Sequence, residues 1–417
     1  MLPTATDNGA RLAAILPSGL AALAKGRGAD TAEMTATALG ASGAARADQA
    51  ASVQLADLTP ALQSLVVVLV DGLGSSNLKA RAGHAPTLTS LAQRRITTVA
   101  PSTTSAALTS FTTGTLPGDH GMIGYRIRHP ELGILSPLRE WDGIDDHRSW
   151  QLSEPLFHAA ATAGIRTYTV GRAAHAGSGL SQAILSGAEY VDGDRIEDRF
   201  VAARNLLRDE TPALIYVYVD ELDRAAHRDG WQGDQWTRRL EQLDRALHDF
   251  LTALPKGVGV ALTADHGMVD IEPHQRIILQ RDDEMLAEVT EIGGEPRFRS
   301  LYLREGADPA AVAGAIREHE GQRALVLTRD EAIATGMFGP TLAPGVAERL
   351  GEVLLIARKQ VAYFDDAADP AMLEMVGQHG GLTDEERGVP LILAGALAGT
   401  SFAKLVEKVA AARFTSE

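Results

Sequence analysis

The sequence predicts an α/β protein: a central, mostly parallel sheet flanked by helices, with a small α/β insertion. Three observations predict it. Residues 65–70, 213–219 and 257–263 are apolar runs too uninterrupted for strands with one wet face, and they read as strands buried on both faces. Helical patterns alternate with them along the chain. Each run also stops abruptly at acids or an acid–histidine pair: Asp71, Asp220-Glu221 and Asp265-His266. Ligands of open α/β sheets bind outside the carboxyl ends of the strands, so these side chains are placed to hold something.

The chain has 417 residues, of which 45% are hydrophobic. That suits one large α/β domain carrying an insertion, or two domains. The formal net charge of -15 leaves no broad basic face, so no nucleic-acid polymer is expected as a partner. An acidic protein that handles anions needs a local positive site, and bound metal ions create one. There is no cysteine, which excludes disulfides, thiolate metal sites and thiol nucleophiles. It also fits a reducing cytoplasm, the compartment expected. Residues 1–30 scatter Arg11, Lys25 and Arg27 among alanines, without the basic start and apolar core of a secretory signal. No run is long enough to span a bilayer, and no membrane is expected as a partner.

Taken in order, residues 11–23 and 48–58 are expected as helices on the outside of the domain. The central strand follows at 65–70. Residues 86–94 suggest a helix with Pro86 in its first turn, and 96–100 a strand ending at Pro101. Ser102-Thr103-Thr104-Ser105 is a strand-to-helix junction, and its helix should run to 111 or 113 and stop at Gly114. Residues 116–121 form a tight loop by their Pro and Gly content. Residues 125–150, with Trp141 and Trp150, read as a long loop beside the site, part of a lid. Helix 152–163, strand 167–171 and helix 195–209 lead to the second apolar strand. Helix 234–254 carries Trp236, Leu240, Leu243, Leu247 and Leu251 on one stripe.

The character changes over 271–375, where strands at 299–303, 324–327 and 352–357 alternate with a helix at 308–319. This stretch is expected to be an inserted cap or subdomain, leaving 1–270 and 376–417 as the core. The loop Gly377-Gln378-His379-Gly380-Gly381, a strand at 389–394 and a helix at 403–411 close the chain.

Asp and His supply oxygen and nitrogen donors suited to zinc or another divalent transition metal. Asp71 at the first strand end competes with a simple helix-capping role. Asp223 and His227 are four apart and share a helix face, although that spacing is common on solvated faces. Asp265 and His266 would point to opposite sides of a strand, and can serve one ion only because Gly267 ends it. Together Asp71, Thr104, Asp223, His227, Asp265, His266 and His379 make about the donor number that two divalent ions need while leaving room for substrate and water. Two ions about 4 Å apart can clamp the attacking and leaving oxygens of an in-line phosphoryl displacement. Thr104 is the candidate nucleophile, since metal coordination activates an otherwise poor hydroxyl. At the start of a helix, backbone N–H groups could also face an incoming anion. By residue type alone, an N-cap role for Thr103, Thr104 or Ser105 is the commoner use, and both readings stand.

Five segments then occur in order: VDGLG at 70–74, PSTTSAALTSFTTGTLPGDHGMIGY at 101–125, ELDRAAHRDG at 221–230, TADHGM at 263–268 and GQHGG at 377–381. On these the chain resembles the alkaline phosphatase superfamily, and within it the nucleotide pyrophosphatase/phosphodiesterase branch, over about residues 65–395. The resemblance implies an alkaline-phosphatase-like fold and two zinc ions, with manganese or iron as alternatives. It implies that Thr104 becomes covalently phosphorylated. Asp71, Thr104, Asp265 and His266 would surround one ion, and Asp223, His227 and His379 the other. The implied reaction is hydrolysis of phosphodiester or pyrophosphate bonds in small, nucleotide-like phosphorylated substrates.

Two positions depart from the branch. Tyr125 stands where an Asn usually donates to a phosphoryl oxygen, so that contact is lost, altered or supplied by Arg126 or Arg128. Leu222 replaces the Pro before the second-site aspartate. A phosphomonoesterase or phosphonoacetate-type hydrolase is therefore the runner-up, followed by a phosphosugar mutase and a metal-binding protein without catalysis. His120 is expected to shape its loop, and the remaining histidines, His175 among them, receive no role. Gly72-Leu73-Gly74 lacks the third glycine of a dinucleotide fingerprint.

Overall fold

The computed structural model describes residues 8–209 and 211–414. The first seven and last three residues of the expected core, and Glu210, lie outside them. The main sheet runs from edge to edge as Ala92–Thr97, Gly388–Gly395, Val258–Thr263, Ser64–Val70, Ala213–Val219, Arg166–Gly171 and Glu189–Asp192. Gly388–Gly395 pairs antiparallel with both neighbours, and the other pairs are parallel. Every residue of Ser64–Val70 and Val258–Thr263 is buried, as the unbroken apolar runs require. Val70 lies beside Val219 and Leu69 beside Thr263. Asp71, Asp220 and Asp265 therefore leave three adjacent strands at the same edge of the sheet.

The helices cover this sheet with one correction to the expected arrangement. Helix Ala10–Gly26 is not on the outside: nearly its whole length is buried. It packs against Thr31–Arg46, Thr104–Thr113 and the C-terminal helix Phe402–Phe414. Its weak periodicity is the sign of a helix apolar all round, which belongs in a core. Thr31–Arg46, rich in Ala, Gly and Thr, gave too little pattern to be foreseen. Gln49–Leu58, capped by Asp48, does lie largely exposed. The helix expected over 86–94 ends at Ser90, because Ala92–Thr97 pairs along Gly388–Gly395 as an edge strand. Helix Asp234–Thr252 buries Trp236, Leu240, Leu243 and Leu247 on its inner face, as expected.

Val269–Asp270 pairs antiparallel with Gly377–Gln378, so the chain leaves and returns side by side. Between them stands a second sheet, all antiparallel, in the order Val289–Glu295, Phe298–Leu303, Val353–Ala357 and Ala324–Thr328. Helix Pro309–Glu320 covers one face, and Ile292, Leu301, Ile316, Val326 and Leu355 form an apolar cluster there. Phe298, Leu354 and Ile356 face the other way and join the main core with Met337 and Phe338. Residues 125–150 are largely irregular but include a small hairpin, Ile127–His129 with Gly133–Leu135. No helix among the described residues is long and apolar enough to cross a membrane.

Candidate active site

Two strand ends deliver Asp71 and Asp265 to one buried point, and Asp223 joins them from the helix Glu221–Asp229 that follows the third. Gly72 turns the chain after Asp71 with φ of 75°, and a Cβ there would lie 3.1 Å from the Asp223 backbone, so this turn needs glycine. Asp265 Oδ1 accepts hydrogen bonds from Gly72 N at 3.1 Å and His266 N at 2.9 Å. Asp71 Oδ2 accepts one from the Tyr218 hydroxyl. The opposite oxygens, Asp71 Oδ1 and Asp265 Oδ2, have no hydrogen-bond partner among the described residues, nor has Asp223 Oδ1.

These free oxygens gather around imidazole nitrogens. His266 Nε2 lies 3.2 Å from Thr104 Oγ1, 3.3 Å from Asp71 Oδ1 and 3.4 Å from Asp265 Oδ2. One nitrogen can make one good hydrogen bond, not three. Four ligands at about 2.0 Å from a tetrahedral zinc ion would instead stand about 3.3 Å from one another. The spacing is that of a coordination shell. Asp71, Asp265 and His266 also bring their donor atoms within 4.8 Å of one another, as do Asp223, His266 and His379.

The second group is looser. Asp223 Oδ1 lies 3.4 Å from His227 Nε2 and 4.0 Å from His379 Nε2. His379 stacks on His266 with ring centroids 3.6 Å apart, which sets the two groups side by side. The outer nitrogens fix the tautomers. His227 Nδ1 faces Gly377 O at 2.8 Å and His379 Nδ1 faces Ser102 O at 2.9 Å. A carbonyl only accepts, so each Nδ1 carries the proton and each Nε2 offers its lone pair to the site.

Electrostatics agree with that donor set. Burial, then the Asp71 charge, pushes Asp223 and Asp265 well above the usual carboxylate range. Burial also opposes ionisation of Asp71, but the neighbouring His266 outweighs it and holds this acid low. His266 is fully buried, which disfavours its charge, yet the Asp265 and Asp71 carboxylates raise its pKa to about 10. Burial, followed by the His266 charge, drives His379 well below an ordinary imidazole. Two of the three acids are driven toward their neutral forms here, and a divalent cation would satisfy the three carboxylates better. The residues present therefore fit two metal ions.

Thr104 is the first residue of helix Thr104–Thr113, which Gly114 ends with φ of 66°. Thr103 occupies the N-cap position without a side-chain cap bond, so neither hydroxyl serves as the cap. His120 lies away from the cluster. Its Nδ1 accepts from Met122 N at 3.1 Å and its Nε2 meets Ser110 Oγ at 2.8 Å, so it shapes the loop. Asp220 pairs with Arg172 at 3.3 Å and His175 at 3.1 Å, and Glu221 with buried Arg199 at 2.7 Å, which removes both acids from the cluster.

Two cavities meet at Thr104 and Asp223. The larger, about 640 Å³, is lined by Tyr125, His227, His379 and Glu295. The smaller, about 460 Å³, is lined by Asp71, Tyr218, Arg172 and His175. Tyr125 thus reaches the site, but Arg128 turns away: it pairs with Glu291 at 3.4 Å and lies over the Tyr302 ring. Neither Arg126 nor Arg128 lines these cavities, whereas Arg139 lines both. Arg139, Tyr218, His175 and Glu295 went unforeseen, since none stands at the end of a strand expected from the sequence or at ligand spacing.

Comparison with known proteins adds an independent line. The profile described as type I phosphodiesterase / nucleotide pyrophosphatase matches residues 65–382. Among solved structures, murine ectonucleotide pyrophosphatase/phosphodiesterase 5 is similar at 18% identity and a TM-score of 0.64, covering 80% of this chain and 88% of that one. Phosphonoacetate hydrolase from Sinorhizobium meliloti 1021, in complex with phosphonoacetate, is similar at 20% identity and a TM-score of 0.63, covering 85% and 97%. Human ectonucleotide pyrophosphatase/phosphodiesterase 5 follows at 16% identity and a TM-score of 0.62, covering 80% and 88%.

Proposed function

We propose, for a chain that belongs to the type I phosphodiesterase/nucleotide pyrophosphatase family of the alkaline phosphatase superfamily and so is a phosphoester hydrolase, that it cleaves phosphodiester or pyrophosphate bonds of small, nucleotide-like substrates through a phosphothreonine at Thr104. One observation carries this reading: Thr104 Oγ1, Asp71 Oδ1 and Asp265 Oδ2 stand at 3.2 to 3.4 Å from a single nitrogen, His266 Nε2.

In this reading Asp71, Thr104, Asp265 and His266 hold one ion, and Asp223, His227 and His379 the other, zinc being the best fit to the donor set. When bound, the ions supply the charge that lowers the pKa of the Thr104 hydroxyl and stabilises the leaving oxygen. The Thr104 hydroxyl gives its proton to solvent and Oγ1 attacks phosphorus as the bond to the leaving oxygen breaks, and the leaving oxygen takes a proton from solvent. Water then attacks the phosphothreonine, which releases phosphate or its monoester and restores the hydroxyl. Asp71 and Asp265 stay fixed by Tyr218, Gly72 and the His266 backbone throughout. Segment 271–375 serves as a cap over the larger cavity.

A second reading, a phosphomonoesterase or phosphonoacetate-type hydrolase, is favoured by Tyr125, whose phenol lines the cavity where the branch places an amide. Bis-p-nitrophenyl phosphate, p-nitrophenyl phosphate and phosphonoacetate separate the two. Zinc-loaded protein should turn over the diester fastest and lose that activity to a chelator. Preference for either of the others would select the second reading, and activity indifferent to chelation would exclude both.

A further inference from the structure

Glu295 ends the strand Val289–Glu295 of the second sheet and enters the larger cavity beside Thr104, Tyr125 and His379. Its residue is 4% exposed, yet neither carboxyl oxygen has a hydrogen-bond partner among the described residues. Burial raises its pKa to about 8 against the pull of the nearby Thr103 hydroxyl, which lacks hydrogen-bond geometry and is also unpartnered. Arg299, on the adjoining strand, forms no ion pair with Glu295 and spends its Nε on Tyr363 O at 2.7 Å. An unpaired buried carboxyl costs several kcal/mol in an apolar setting, and native proteins rarely keep one without use.

The chain makes room for this acid. Gly380, one residue beyond His379, has φ of 110°, and a Cβ there would collide with Glu295 Cγ and lie 3.0 Å from Oε1. Any other residue at 380 would push the carboxyl aside. Glu295 comes from the segment between the two strands Val269–Asp270 and Gly377–Gln378, not from the strand ends that supply the other acids.

We infer that Glu295 is a specificity-determining residue that receives a hydrogen-bond donor, an ammonium or hydroxyl group, borne by the organic part of the phosphorylated substrate. The inference rests on the phosphoester-binding reading of the same site. Both carboxyl oxygens are free to accept from a donor that enters the cavity. A substrate with a donor a few bonds from phosphorus satisfies the acid, whereas an alkyl group leaves it stranded.

Calorimetry of the zinc-loaded protein with 2-aminoethyl, 2-hydroxyethyl and ethyl phosphate tests this. The wild type should bind the first two about tenfold or more tighter than the third. Glu295→Leu should bind all three alike. Glu295→Gln should keep the hydroxyl preference and lose the ammonium preference. Ethyl phosphate binding as tightly as the others to the wild type, or a preference that survives Glu295→Leu, would overturn the assignment while leaving the phosphoester site intact. Failure of all three to bind would overturn the site reading itself.

Discussion

His266 is the side chain on which the site turns, because its Nε2 touches the Thr104 hydroxyl and two of the acids. Thr104→Ala should lower turnover by several orders of magnitude with metal content unchanged, since nucleophilic residues of covalent hydrolases carry effects of that size. Retained turnover would remove Thr104 from the mechanism. Tyr218 acts one shell out, through Asp71. Tyr218→Phe should weaken zinc binding by about 10- to 100-fold in competition with a chelating dye, the usual cost of losing an outer-shell partner. Unchanged affinity would leave Tyr218 a packing role only. His120 sets a pH limit. Burial, then the Arg349 charge, holds its pKa down to about 3 against 6.5 for a free imidazole. Between these values the unfolded chain binds more protons, so stability present above pH 6.5 is lost as pH falls toward 3. Thermal midpoints of metal-stripped protein should fall on acidification, and less steeply in His120→Asn. Equal slopes would contradict this assignment.

At the scale of elements, one buried ion pair joins three parts of the site. Arg297 Nε and Nη2 donate to Glu386 at 2.8 and 2.7 Å, with both side chains fully buried. Glu386 also accepts from Gly381 N at 2.8 Å, and its own carbonyl accepts from Gly267 N at 2.8 Å. The second sheet and the His379 loop are therefore fastened to one carboxylate, and the His266 loop to the backbone of the same residue. Arg297→Met would strand that charge and should destabilise the protein by about 3–5 kcal/mol in urea unfolding. A loss below about 1 kcal/mol, the value of a surface pair, would show that the pair is not the fastening described. The strand ends that carry Asp71 and Asp265 were legible, because uninterrupted apolar runs announce buried strands and their stops. Asp223 and His227 were legible from helical spacing combined with motif order. Glu295 and Arg139 were not: one closes a hairpin of the second sheet and the other sits in an irregular loop, so neither lies in a periodic pattern. Helix Ala10–Gly26 was misplaced on the outside because all-round burial erases the very stripe that periodicity detects.

For the whole molecule, a net charge of -15 surrounds a site that must accept an anion, and the cluster of buried acids makes that possible only with cations in place. Metal should therefore stabilise the fold as well as arm it. Zinc at a thousandfold over its dissociation constant should add about 4 kcal/mol. A melting temperature indifferent to zinc and to chelator would argue against resident ions. The proposed mechanism requires these distant segments to converge and make Thr104 a nucleophile. Acid-quenched turnover of bis-p-nitrophenyl phosphate by the zinc-loaded protein, followed by peptide mass spectrometry, tests it most directly. A phosphoryl adduct on the peptide containing Thr104, absent from Thr104→Ala and from chelated protein, is the predicted result. An adduct on any other residue, or full turnover with no adduct at any quench time, would contradict it.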